Sequence, residues 1–125
     1  MNQLLFVYGT LKRGCRNHHH LAGQLWVGVA RTTPGYRLYD LGGYPGLAIF
    51  ADDRTGVSGE VWSVEPAALQ RLDAFEGVHE GLYRRGPITL QPPFADRAVD
   101  AYFPVAPAPG DRAIGAEWIE PKNGD

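Results

Sequence analysis

Sixteen glycines and ten prolines are spread along this 125-residue chain, and that punctuation limits what it can fold into. Glycine loosens the backbone and proline removes a hydrogen-bond donor, so long regular elements are broken repeatedly. The pattern implies many short strands joined by turns. Residues 4–8 (LLFVY) are apolar on both faces, as in a strand buried from both sides. Gly9 ends that strand, and Asn17 is placed to cap a short helical turn over His18–Leu21. Residues 24–33 alternate through Leu25, Val27 and Val29 and read as a strand with one buried face. After the Pro34-Gly35 turn come strands at 36–41, 47–51 and 57–64. The short turn at 53–56 predicts that the last two form an antiparallel hairpin. Further strands are expected at 83–90 and 98–103.

One segment reads as helix. Pro66 suits the first helical position, apolar residues recur at Leu69, Leu72 and Phe75, and Gly77 stops it. The expected class is therefore α+β: a small, mixed, mostly antiparallel and barrel-like sheet flanked by one main helix and short helices. A single domain over residues 1–125 is expected, with 104–125 a Pro-rich loop (PVAPAPGD) and a C-terminal tail. That tail is either a last strand or a segment docked by Trp118.

Composition excludes several functions. A formal charge of −2 gives no overall basic field, so nucleic acid is not expected as a partner. No apolar run approaches the roughly 20 residues of a membrane span. The lone Cys15 cannot form an internal disulfide, which fits a reducing compartment. Residues 1–9 read as a first strand and not as a signal peptide, so the cytoplasm is the expected location.

On a wheel of about 100° per residue, Leu69, Leu72 and Phe75 define the apolar stripe of the helix. Glu76 falls within about 40° of its centre, and Asp73 about 100° away. Glu76 therefore points toward the core unless the last turn frays and releases it to water. Desolvation and the negative end of the helix dipole both raise the pKa of an inward carboxylate there. A carboxylate tuned toward neutral pH is what a general base requires.

The stretch FVYGTLKRGCRNHHHL, residues 6–21, admits three readings. A metal site on His18, His19 and His20 is disfavoured, because adjacent helical residues diverge by about 100° and zinc would want a further ligand from elsewhere. Cys15 as a nucleophile lacks a clear helix N-terminus to lower its pKa, although Lys12 and Arg16 lie close in sequence. The third reading is backbone recognition. A strand ending in Gly-Thr-Leu before a turn can present successive N–H groups to a carboxylate or oxyanion, with Gly9 letting a ligand approach the main chain. Elsewhere, Glu60 is expected in a hydrogen-bonded or surface role and Asp73 as a solvated or capping group. Residues 43–46 form either a pocket wall or a plain turn. Trp26, Trp62 and Trp118 are expected in packing.

The run VYGTLKRG…NHHHL, followed in order by GEVWSV, LDAFEG and LYRR, resembles the gamma-glutamylcyclotransferase-like family, most closely its gamma-glutamylaminecyclotransferase branch. The likeness spans roughly residues 4–103. It implies a strand barrel flanked by helices, and an intramolecular cyclisation that releases 5-oxoproline and an amine or amino acid from a small gamma-glutamyl substrate. It also implies Glu76, of LDAFEG, as the acid/base. Tyr8, Gly9, Thr10 and Leu11 would be substrate contacts made largely through main chain, with Tyr83 near the pocket. No metal or other cofactor is called for, and Cys15 and the histidines become scaffold or rim. The rival reading is a non-catalytic binding module for a small amino-acid-like ligand, which would have no need of an inward Glu76.

Overall fold

The structure, a computed structural model, describes residues 1–106 and 113–120. Among these residues, eight strands and one α-helix follow in order: β1 (Gln3–Val7), β2 (Leu25–Arg31), β3 (Tyr36–Asp40), β4 (Pro45–Ile49), β5 (Ser58–Val64), α1 (Pro66–Phe75), β6 (Tyr83–Ile88), β7 (Val99–Pro104) and β8 (Ala113–Gly115). A 3₁₀ turn over His18–Leu21 separates β1 from β2. The strands form two sheets, ordered β2-β5-β1-β7-β6 and β4-β3-β8. All pairings are antiparallel except β1 with β7, where Leu4 lies opposite Val99. This is the expected mixed, mostly antiparallel class with one main helix.

β1 sits at the centre of the larger sheet and is buried on both sides, as its double apolar face requires. Leu5 and Val7 pack beneath α1 with Leu21, Trp62, Ala68, Leu72 and Tyr102. Phe6 and Tyr8 face the other way, against Leu38 and Leu47 of the smaller sheet and Val61, Phe103 and Trp118. The molecule is thus three layers deep: helix, large sheet, small sheet. The tail is both a strand and a docked segment, since β8 pairs with β3 and Trp118 is buried. Of the Pro-rich loop and tail, residues 107–112 and 121–125 lie outside the described residues.

Three expectations are corrected. The strands around residues 53–56 do not form a hairpin: β4 pairs with β3, while β5 pairs with β1 and β2. The turn between them crosses from one sheet to the other. Asp53 organises it by accepting N–H groups from Gly35, Thr55 and Gly56, and Val57 then docks beside β2 through two hydrogen bonds with Thr32. β2 turns its apolar alternation outward, with Leu25 and Val29 exposed. It is an edge strand with a bulge between Trp26 and Gly28, and Gly28 is where Phe94 packs close. Asn17 precedes the 3₁₀ turn but makes no side-chain cap; its amide donates to Thr10 Oγ1 instead (3.0 Å).

The two sheets are tied by one phenol. Tyr8 Oη donates to the Tyr102 carbonyl of β7 (2.7 Å) and accepts from the Leu47 N–H of β4 (3.3 Å). Burial holds the hydroxyl protonated by pushing its pKa well above the usual value. Tyr8→Phe would strand a buried N–H and a buried carbonyl at once. We expect it to lower unfolding stability by about 1–3 kcal/mol, the usual range for an unsatisfied buried group, read from urea denaturation. An unchanged midpoint would show that the tie is unimportant.

Candidate active site

α1 begins with Pro66 at its first turn and ends in a hydrogen-bonded stop. Gly77 adopts φ +72°, its N–H donates to Ala74 O, and the Val78 N–H donates to Asp73 O. These two bonds are the Schellman pair, which needs a left-handed residue and here uses glycine. A side chain at Gly77 would also place Cβ 2.7 Å from Leu82 Cδ1. The last turn therefore does not fray, and Glu76, as the C-cap, is held with its N–H on Leu72 O (2.9 Å). Phe75, expected in the buried stripe, is 44% exposed and lies against His20, with ring centroids 4.1 Å apart. Ala68 and Leu72 carry the buried face.

Glu76 lines a cleft of about 270 Å³ together with Tyr8, Gly9, Thr10, Leu11 and Tyr83. The structure thus brings all six residues singled out in the sequence to one cavity. Tyr44 and Pro45 form part of its wall, in line with the first of the two readings of residues 43–46. Pro45 also explains Gly9: a Cβ there would lie 2.6 Å from Pro45 Cγ, so the missing side chain makes room for the proline. The loop at 9–11 is tightly held through its carbonyls. Gly9 O accepts from Lys12 N–H and Thr10 O from Asn17 N–H. Leu11 O lies 3.0 Å from His18 Nδ1, which must carry the proton.

Electrostatics separate Glu76 from the other acids. Its side chain accepts no hydrogen bond among the described residues, and desolvation raises its pKa from 4.5 to about 7. Tyr83 is pushed upward by burial, then by the Glu76 charge and Tyr44, and its hydroxyl has no hydrogen-bond partner among the described residues. Asp73, one turn earlier, is neither the solvated nor the capping group expected. It takes a bidentate pair from Arg85 (2.9 and 3.2 Å) and the Tyr102 hydroxyl (2.7 Å), and Arg85 also reaches Asp100 (2.7 Å). Burial pushes Asp73 up, but those donors outweigh it and leave its pKa below the usual range. This network clamps α1 onto β6 and β7. Glu60 accepts from Arg13 N–H and Trp62 Nε1, a structural role.

The other readings of residues 6–21 find little support in the geometry. Each histidine has its own neighbour: His18 packs on Trp62, and His19 on His20, which reaches Phe75. Among the described residues no three His, Cys, Asp or Glu side chains converge as a metal site would. Burial, then Glu120, raises the Cys15 pKa, opposite to what a thiolate nucleophile needs. Also among the described residues, no helix is long and apolar enough to cross a membrane. Arg16, Asn17, Leu82 and Tyr102 also line the cleft without having been anticipated. Arg16 and Asn17 follow Thr10 closely and Leu82 adjoins Tyr83, so nearness in sequence was the available signal, whereas Tyr102 arrives only through the packing of β7.

Comparison with known proteins agrees with this architecture. Residues 5–120 match the family described as "Gamma-glutamyl cyclotransferase, AIG2-like", and the chain belongs to that family. A Vibrio cholerae protein provisionally named a gamma-glutamylcyclotransferase is 41% identical over 102 residues, spanning 82% of this chain and 84% of its own. The human gamma-glutamylaminecyclotransferase is 38% identical over 111 residues, spanning 83% and 71% respectively. The crystal structure of a Mus musculus AIG2-like protein superposes with a TM-score of 0.72 at 28% identity, covering 86% of this chain and 80% of that one. In sequence and fold the chain is gamma-glutamylcyclotransferase-like.

The raised pKa makes Glu76 a measurable liability. Folding favours its protonated form, so its effect on stability worsens as pH rises from about 4.5, the unfolded value, through about 7. Glu76→Gln is therefore expected to melt several degrees above the wild type at pH 8, with the gap closing below pH 4.5. Differential scanning calorimetry at both pH values checks this; a gap that is absent at pH 8 or widens in acid contradicts the burial assigned to Glu76.

Proposed function

We propose that this protein is a gamma-glutamyl cyclotransferase of the amine-releasing type, with Glu76 as its general acid/base. One observation carries the reading: a partly buried carboxylate without a hydrogen-bond donor among the described residues, poised near pH 7, shares a small cleft with a constrained strand-end loop. The buried acids among the described residues, Asp53 and Glu60, are by contrast engaged by N–H donors.

In the proposed reaction Glu76 takes a proton from the substrate's alpha-amino group. The freed nitrogen attacks the gamma-carbonyl carbon and closes a five-membered ring. Ring closure leaves a surplus proton on the ring nitrogen. The bond from the gamma carbon to the leaving nitrogen breaks as Glu76 returns its proton there, and the surplus proton of the ring nitrogen then passes through the freed Glu76 carboxylate to the departing amine. The products are 5-oxoproline and an ammonium ion, so the positive charge of the substrate's alpha-ammonium ends on the leaving group and atoms and charge balance with no enzyme nucleophile. Ring closure draws on proximity, since the attacking group is already tethered within the substrate. The amides of residues 9–11, whose carbonyls are engaged, supply donors for an anionic oxygen, either the alpha-carboxylate or the tetrahedral oxyanion. Tyr83 Oη, neutral and unpartnered among the described residues, is a further donor facing the substrate.

Incubation with a panel of gamma-glutamyl amides, followed by mass detection of 5-oxoproline, tests the assignment. The wild type is expected to release product and Glu76→Gln to lose at least about a hundredfold in rate, the lower end of acid–base contributions. Equal rates would remove Glu76 from the chemistry. Tight binding without turnover by the wild type would favour the non-catalytic binding module.

A pH profile gives an independent check. The base form of Glu76 is the active one, so kcat/KM should fall about tenfold per pH unit below about 7. An acid limb near pH 4.5 would place the essential carboxylate in ordinary solvent.

A further inference from the structure

The cleft has two chemically different ends. Its inner part is bounded by buried side chains, Phe6, Tyr8, Leu11 and Tyr102. Its mouth is apolar and wet. Tyr44, Phe75 and Leu82 line it while remaining 41%, 44% and 63% exposed. They come from three separate segments: the β3–β4 turn, the end of α1 and the loop before β6. Single exposed apolar residues are ordinary, but several gathered around one opening mark a surface that a ligand covers.

This rim is built and not loose. The Leu82 N–H donates to Gly77 O, and Leu82 O accepts from Val105 N–H, both at 3.0 Å. Tyr44 O accepts from Leu41 N–H at 2.8 Å. The Phe75 ring is backed by His20, next to the fully buried Leu21. Apolar surface held open in this way is preorganised for an apolar partner.

Charge narrows the partner further. Of the described side chains lining the cleft, only Glu76 and Arg16 belong to formally charged types. The Arg16 guanidinium already donates to Gly43 O (2.7 Å) and pairs with Glu120 (3.4 Å). Among the described residues, a leaving amine with a second ammonium group would find no carboxylate in the lining except Glu76, which the reaction needs. A zwitterionic amino acid would bring an extra charge of each sign that gains nothing from the apolar rim, whereas an apolar chain gains by covering it.

We infer that the leaving group is an apolar monoamine, whose alkyl or arylalkyl chain lies on Tyr44, Phe75 and Leu82 while its nitrogen receives the proton from Glu76. This rests on the cyclotransferase reading above and adds the substrate class to it.

The test compares kcat/KM for four substrates with the full chain, measured as 5-oxoproline release: the gamma-glutamyl amides of methylamine, benzylamine and 1,4-diaminobutane, and the isopeptide to the lysine side chain. The benzylamide is expected to exceed the diaminobutane amide and the isopeptide by about tenfold or more, the scale on which an apolar contact discriminates. Leu82→Ser, at an exposed position, is expected to cut the benzylamide-to-methylamide ratio about tenfold, and Phe75→Ser to act in the same direction. Turnover of the methylamide with equal or faster turnover of the charged amides overturns this inference and leaves the cyclotransferase reading standing. So does an unchanged ratio in both variants. Release of 5-oxoproline from none of the four overturns both.

Discussion

The stop at the end of α1 decides where the acid sits. Two hydrogen bonds, from Gly77 and Val78 back to Ala74 and Asp73, close the last turn around a left-handed glycine. Without that closure the terminal carbonyls would be orphaned and the turn would unwind. With it, Glu76 is the last residue of helical geometry. The clamp of Asp73 on Arg85 and Tyr102 then fixes the same turn against β6 and β7. Position and orientation are thus set by backbone and by a neighbouring ion pair, leaving the Glu76 carboxylate itself uncommitted.

That freedom stands out against the other acids. Asp53 has three backbone donors, Asp73 an arginine and a tyrosine, and Glu120 the Trp118 ring nitrogen and Arg16. Each is held ionised, because the donors outweigh the desolvation that opposes charge. Glu76 keeps the desolvation and lacks the donors. A protein that gains nothing from such a group structurally is expected to use it chemically, and perturbed groups in clefts are enriched at functional sites for that reason.

Much of this was legible in the sequence where the signal is local. Pro66 and Gly77 bracket the helix because each acts on its own backbone. Helical periodicity turned Glu76 inward only on condition that the last turn holds, and it also put Phe75 in the buried stripe, where it is in fact exposed. β1 was recognisable because apolar residues on both faces permit only a central strand. Periodicity failed at β2, since alternation says that two faces differ but not which one meets water. The mistaken hairpin failed similarly: a short turn brings strand ends near each other, yet the Asp53 turn spends that proximity on crossing between sheets. The rim was legible only in part: residues 43–46 stood as one of two readings, and Phe75 and Leu82 adjoin Glu76 and Tyr83, but that the three side chains meet at one opening follows only from folding.

The central place of β1 has a further consequence for synthesis. Its partners are β5 and β7, and the parallel pairing sets Leu4 beside Val99, almost the whole described chain away. Contacts so distant in sequence give a high contact order, and such topologies fold slowly because a long loop must close before any pairing rewards it. A nascent chain that has emerged only as far as α1 would hold the Gly-Thr-Leu loop and the acid but lack Tyr83 and Tyr102 to enclose them. The cleft is therefore enclosed only after β6 and β7 have been made and paired.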